Sequence, residues 1–254
     1  KNVDEKEVKQ KIKEIEDFFE ISGDSPSDPI ARKPSEEQLA WSARVAVAQE
    51  KLVKEFALDS LTYYYHGNND NYYERIQGGF IVGHSLLTAS DIPCAGEGDL
   101  KTAAAMKICD TLGMGGSYTE IVAADYELGT MILGHDGPFH ILISEGKPIL
   151  RGMGIYHGKK GSGVSVEANV KTGPVSTLGM TQTFEGKLKM IISEGEAINE
   201  QTLMIGNTST HVRFPQAPAE YMDKWFIEAP THHCAMAVGH NKSLFEKTAD
   251  LLGI

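Results

Sequence analysis

Apolar residues recur at helical spacing from the start of the chain. Val8, Ile12, Ile15 and Phe19 stand three or four apart within residues 4–21, which predicts an amphipathic helix with a charged outer face. Residues 22–34 (SGDSPSDPIARKP) read as a polar connector broken by proline. Ser35 then opens SEEQ, a capping-box pattern. A long helix is predicted from there to about Phe56, burying Leu39, Val45, Leu52 and Phe56. DSLTYYYH (59–66) is rich in β-branched and aromatic residues and predicts a strand, with GNND as the turn after it. A helix is expected over Tyr73–Ala89, weakened by Gly78 and Gly79, and another over the Ala-rich stretch after Asp99, its N-cap, ending at Gly113.

After about residue 112 the period changes. Glycine becomes frequent, long helices disappear, and short strand patterns dominate: TMILGH, FHILIS, GVSVEANV, GKLKMIIS and TLMIGN. EGK at 145–147 and at 185–187 read as hairpin turns, and Ser243–Leu252 as a closing helix. The fold class expected is α/β plus mostly-β. Residues 1–112 form a partial Rossmann-like α/β domain, and residues 113–254 an antiparallel, β-barrel-like domain.

Composition narrows the function. The 254 residues are 41% hydrophobic and 23% charged, ordinary values that exclude collagen-like, disordered and disulfide-rich classes. A net charge of -11 argues against nucleic acid or an anionic membrane as partner. No apolar run approaches the roughly 20 residues that span a bilayer, and the charged N-terminus does not read as a signal peptide. Cys94, Cys109 and Cys234 are odd in number and far apart, which fits a reducing cytoplasm. Lys1 leads straight into a helix pattern with no strand ahead of it, as expected of a processed chain or a piece of a longer one.

Several motifs fail on inspection. GMGGS (113–117) ends a helix instead of opening one, and GIYHGKKGSG (154–163) does not satisfy the phosphate-loop pattern. Neither GxSxG nor HExxH occurs, and no cysteine sits in a nucleophile motif, so all three are assigned to the core. More informative are carboxylates and imidazoles in distinctive settings. Glu97 sits between glycines in AGEGD, at a strand-to-helix junction where open α/β sheets bind ligands; the plainer reading is a carboxylate favouring a helix N-terminus. Glu120 lies among small and apolar residues, where a carboxylate needs a partner such as a cation; the plainer reading is an exposed edge-strand residue. His135 closes TMILGH and on its own reads as a core histidine, with His140 and His157 weaker still. In THHCAMAVGH, His232 and His233 point to opposite faces of any regular strand, so at most one serves a given site. Two carboxylates with two imidazoles suit Mn²⁺, Mg²⁺, Co²⁺ or Fe²⁺.

GEGDLKTAAAMKI, then GGSYTE, ILGH, TGP at 172–174 and THH, in that order, resemble the L-arabinose isomerase and L-fucose isomerase family. The resemblance covers about residues 1–240, weakly before 90. It implies a divalent metal, Mn²⁺ or another ion such as Co²⁺ or Mg²⁺, held by Glu97, Glu120, His135 and His233. It also implies aldose–ketose isomerisation through a cis-enediol, with Glu97 and Glu120 moving the protons. His232 would orient His233 or touch substrate, and Tyr65 and His66 would supply an aromatic lining. L-arabinose, L-fucose, D-arabinose, D-galactose or another polyol-like aldose is the candidate sugar. The resemblance further implies a homo-oligomer, a trimer or hexamer, in which a neighbouring subunit helps close the site. Family chains are about twice as long, so this one resembles their C-terminal half and is expected to bind metal weakly and turn over little or no sugar alone. Two other classes stay open: a metal-dependent hydrolase or lyase using the same ligands, and a non-catalytic carbohydrate-binding or oligomerisation domain.

Overall fold

A computed structural model describes residues 3–23, 31–64, 71–156, 159–201, 203–228 and 230–254. The N-terminal part is helical with short strands. Helix α1 (Glu5–Phe18) carries a capping box between Asp4 and Glu7 and buries Val8 and Ile15, with Phe19 just beyond its end. Two-residue strands β1 (Glu20–Ile21) and β2 (Ala31–Arg32) lead to α2 (Glu36–Phe56), which starts at the Ser35–Gln38 capping box. Its buried stripe runs through Ala43, Ala46, Val47 and Val53, whereas Leu52 and Phe56, expected in the core, are exposed. Of the strand expected over 59–66, β3 covers Leu61–Thr62, and residues 65–70 lie outside the described ones.

The single helix expected over 73–89 is two, α3 (Tyr72–Gln77) and α4 (Phe80–Thr88), divided at Gly78–Gly79. A Cβ on Gly79 would sit 3.0 Å from the Trp41 indole nitrogen, so the break also lets α2 approach. Strand β4 (Cys94–Ala95) pairs in parallel with β3 and feeds α5 (Leu100–Thr111) through the Gly96–Asp99 turn. Asp99 caps α5 by accepting from the Thr102 backbone N–H at 2.9 Å.

From residue 117 strands take over: β5 (Ser117–Asp125), β6 (Thr130–His135), β7 (Ile149–Met153), β8 (Ile155–Tyr156), β9 (Lys159–Lys160), β10 (Val164–Glu167), β11 (Gly173–Gln182), β12 (Leu188–Ile198) and β13 (Thr208–Arg213). Helix α6 (Pro218–Ile227), β14 (His233–Val238) and α7 (Lys242–Leu252) complete the chain. Six of the strands close an antiparallel barrel in the order β11-β12-β13-β6-β5-β14. A barrel leaves no free edge, and this one is wrapped by helices. Of the two EGK turns, 185–187 closes the β11–β12 hairpin, but 145–147 joins a 3₁₀ turn (Ile141–Ile143) to β7. FHILIS is therefore not a strand, and neither are the described residues of TLMIGN, 203–207: β13 begins just after them.

The change of architecture near 112 is not a break in packing. Strands β1 and β2 both pair with β7, and one hydrophobic core joins Val8 and Ile15 to Leu150, Val212 and Trp225. A second cluster packs α5 (Ala105, Met106, Cys109) against Tyr118, Leu178, Ala235 and Ala237 of the barrel wall. All three cysteines are buried and free. Among the described residues no helix is long and apolar enough to cross a membrane.

Candidate metal centre

The α5 side of the barrel carries the candidate ligands. Strand β5 lies between β6 and β14, and register places His233 directly opposite Glu120. Residues paired in this way share a sheet face. Two residues back on β5, Tyr118 points to the same face. Gly134 sits opposite Glu120 on the other side, where a Cβ would come 1.8 Å from the Thr208 carbonyl oxygen. His135 follows it as the last residue of β6.

Glu97 arrives from the other part of the chain, in the turn between β4 and α5. Its φ of +56° is left-handed, as is the +72° of Gly98. A non-glycine residue in that region costs about 1 kcal/mol. The turn is held by Gly98 N–H donating to the Tyr63 carbonyl at 2.6 Å and Asp99 N–H to the Gly96 carbonyl at 3.0 Å. Backbone strain held in this way is typical of functional positions.

The side chains converge. Glu97 Oε1 lies 3.7 Å from His135 Nε2, and Glu97 Oε2 lies 3.7 Å from His233 Nε2. Ligating atoms of Glu120, His135 and His233 all fall within 4.8 Å of one another. His135 and His233 are buried, while the two carboxylates are each about one-third exposed, 34% and 33%. Two imidazoles thus form a floor and two carboxylates a rim open to solvent.

Tyr118 lies beneath the floor, its ring centroid 4.5 Å from that of each buried histidine. A Cβ on Gly96 would reach 2.7 Å from the same ring, which explains the small residue ahead of Glu97. Burial pushes the Tyr118 phenol far above its ordinary pKa, with Glu97 and Asp99 adding to the effect. The His135 imidazole holds the Glu97 carboxyl down to about 2; burial works the other way, and His233 and His232 add to the lowering.

His232 does not behave as strict strand alternation predicts. It precedes β14, so its backbone is outside the regular strand, and its ring centroid lies 3.7 Å from that of His233 with the planes tilted by 41°. Its Nε2 stands 3.6 Å from Glu97 and 3.8 Å from Glu120, and its side chain is 65% exposed. Both histidines of the pair therefore reach the same centre. His140 lies elsewhere, buried 3.6 Å from Asp110 of α5, and burial lowers its pKa. Tyr65, His66 and His157 lie outside the described residues.

Sequence reasoning gave Asp99 only the role of N-cap. Its Oδ2 also meets His233 Nδ1 at 3.1 Å and accepts from the Thr102 hydroxyl at 2.8 Å. Burial alone would raise the Asp99 pKa, but the His233 and Thr102 hydrogen bonds outweigh it and hold the carboxyl below its usual range. Its place in GEGD, two residues after Glu97, was the available signal.

The donor set fits a divalent cation. Separations of 3.6–3.8 Å are too long for hydrogen bonds, and they join groups that are acceptors when the carboxylates are ionised and the facing imidazole nitrogens unprotonated. His233 Nε2 is buried with no hydrogen-bond partner among the described residues. Buried polar atoms are seldom left so, and mixed oxygen and imidazole donors suit Mn²⁺, Co²⁺ or Mg²⁺. A cavity of about 680 Å³ lies between α2, β3 and α4, walled by Trp41, Tyr63, Phe80 and His84. None of the four candidate ligands borders it, so cavity size does not locate the centre. Compared with known proteins, the chain matches no family model and no curated protein.

Proposed function

We propose that this chain carries the metal centre of an aldose–ketose isomerase resembling the arabinose and fucose isomerases, with its α/β part as a partial Rossmann-like unit. The observation that carries the reading is the convergence of Glu97, Glu120, His135 and His233 on one point, floored by imidazoles and open on the carboxylate side. The resemblance of GEGDLKTAA, SYTE, ILGH and THH supports it by assigning the same four residues.

In this reading the two imidazoles and two carboxylates hold a divalent ion, which supplies Lewis acidity toward adjacent carbonyl and hydroxyl oxygens of an open-chain sugar. Glu97 and Glu120 divide the proton work: one carboxylate takes the C2 proton while O1 gains one, which gives the cis-enediol. A proton then returns to C1 as O2 loses its own and becomes the carbonyl oxygen. Glu97 and Glu120, each about one-third exposed at the rim, are placed to reach a bound sugar. His232, exposed above both carboxylates, is placed to donate to or accept from a sugar hydroxyl. The rim faces solvent, and a neighbouring subunit of a homo-oligomer would shield it. The cytoplasm is the expected compartment.

Incubating the 254-residue chain with Mn²⁺ and L-arabinose, L-fucose, D-arabinose or D-galactose in D₂O tests this. Slow, Mn²⁺-dependent exchange of the C2 proton of at least one sugar is expected, lost in Glu97→Gln and in Glu120→Gln. No exchange with any sugar, or exchange indifferent to both substitutions, would count against it.

A further inference from the structure

Glu97 is the one member of the four-donor group that does not come from the barrel; it belongs to the turn that ends in Asp99. Asp99 caps α5 and touches His233 at the start of β14. One carboxylate thus spans the seam between the two sources of donors.

We propose that Asp99 is a positioning residue that selects the His233 tautomer, keeping the ring proton on Nδ1 and presenting the bare Nε2 to Glu97 and Glu120. The inference rests on the reading of this cluster as a cation centre and goes beyond it by naming what sets the donor's chemistry. A neutral imidazole has one N–H and one lone pair, and the partner at one nitrogen decides which is which. Oδ2 of Asp99, an acceptor, stands 3.1 Å from Nδ1. With the proton on Nε2 instead, the two would face each other lone pair to lone pair, and an N–H would point into the donor cluster. A carboxylate behind a ligating histidine also fixes the ring plane and raises its basicity.

The hydrogen bonds around Asp99 make the test selective. Its Oδ1 accepts from the Thr102 backbone N–H at 2.9 Å, a donor that cannot reverse its role. In Asp99→Asn the amide oxygen must take that position, which leaves the NH₂ facing His233 Nδ1. The imidazole must then accept at Nδ1 and carry its proton on Nε2. Thr102 Oγ1, now 2.8 Å from Oδ2, can rotate to accept instead of donate. Asparagine is as good an N-cap as aspartate, so α5 keeps its start. Asp99→Ser retains a cap but removes the partner of His233 without imposing the opposite tautomer.

Long-range ¹H–¹⁵N NMR of the cation-free protein reads the tautomer directly, with His233→Gln identifying the signal. The wild type is expected to show the Nδ1–H form and Asp99→Asn the Nε2–H form. Calorimetric Mn²⁺ titration of the same samples is expected to show a 10- to 100-fold weaker association in Asp99→Asn and a smaller loss in Asp99→Ser. Melting of the cation-free proteins should stay near wild type in both variants, whereas a capping role alone would leave the Mn²⁺ affinity unchanged as well. An Nε2–H wild type, an Asp99→Asn that retains Nδ1–H, or unchanged Mn²⁺ affinity with the tautomer inverted would overturn the proposal. The tautomer is read without cation or sugar, so it decides the proposal even if no aldose is isomerised.

Discussion

Lowering the pH should destabilise this protein through His84. Its ring is buried between Tyr63, stacked at 5.3 Å, and Phe80 at 5.2 Å, with Nδ1 making no hydrogen bond among the described residues. Burial pulls its pKa from 6.5 down to about 3. The unfolded chain therefore binds a proton between those values that the folded chain refuses. With more protons bound in the unfolded state, stability rises with pH across that window and is lost as pH falls below 6.5. Between pH 7.5 and 5.5 the loss from this group is about 1.4 kcal/mol, which moves the melting temperature of a chain this size by about 3 °C. Urea denaturation of wild type and His84→Phe at both pH values isolates the term, because contributions of the other histidines cancel in the difference. The wild type should lose about 1.4 kcal/mol more than the variant. Equal losses in both proteins would refute the reasoning and mean that the ring accepts a proton in place.

Three further perturbations probe the centre. Tyr118→Phe removes a buried hydroxyl that has no hydrogen-bond partner among the described residues, so it should stabilise the fold by about 1 kcal/mol in thermal or urea unfolding; a destabilised variant would show that the hydroxyl is satisfied. Glu97→Gly relieves the left-handed backbone and should leave the fold as stable or up to about 1 kcal/mol more stable, while calorimetry detects no Mn²⁺ binding at this centre. Mn²⁺ at a hundred times its dissociation constant should add about 2.7 kcal/mol of stability, reversed by a chelator; an unchanged melting temperature would contradict it.

Much of the helical part was legible because its signals are local. The Ser35–Gln38 and Asp99–Thr102 caps are set by residues three apart, and Gly78–Gly79 marked the weak point where one expected helix became two. The β part misled where burial mimics strand period. Ile141 and Ile143 are buried with Leu142 exposed between them, an alternation that suits a strand and here belongs to a 3₁₀ turn. Leu203, Met204 and Ile205 are apolar yet exposed, so TLMIGN resembled a strand, while the more polar TSTHVR is paired in the barrel. Helix α6 was not anticipated, although Pro218 stands at its first turn.

At the site, the carboxylate at the end of β4 followed from its position between glycines before a helix. Convergence of Glu120, His135 and His233 did not, since it depends on barrel closure joining β14 to β5 across more than a hundred residues of sequence. The alternation argument for His232 failed because regular strand geometry begins only at His233. Asp99 went unrecognised as a partner of His233 because a helix cap already explained it.

The central claim is that Glu97, Glu120, His135 and His233 hold one divalent cation. Diffraction from Mn²⁺-soaked crystals, recorded at the manganese absorption edge, tests it most directly. The account predicts a single anomalous peak within about 2.0–2.4 Å of oxygen or nitrogen atoms of those four residues, absent in Glu97→Gln crystals treated alike. No peak there at saturating Mn²⁺, or a peak bound by other residues with these four side chains still apart, would contradict it.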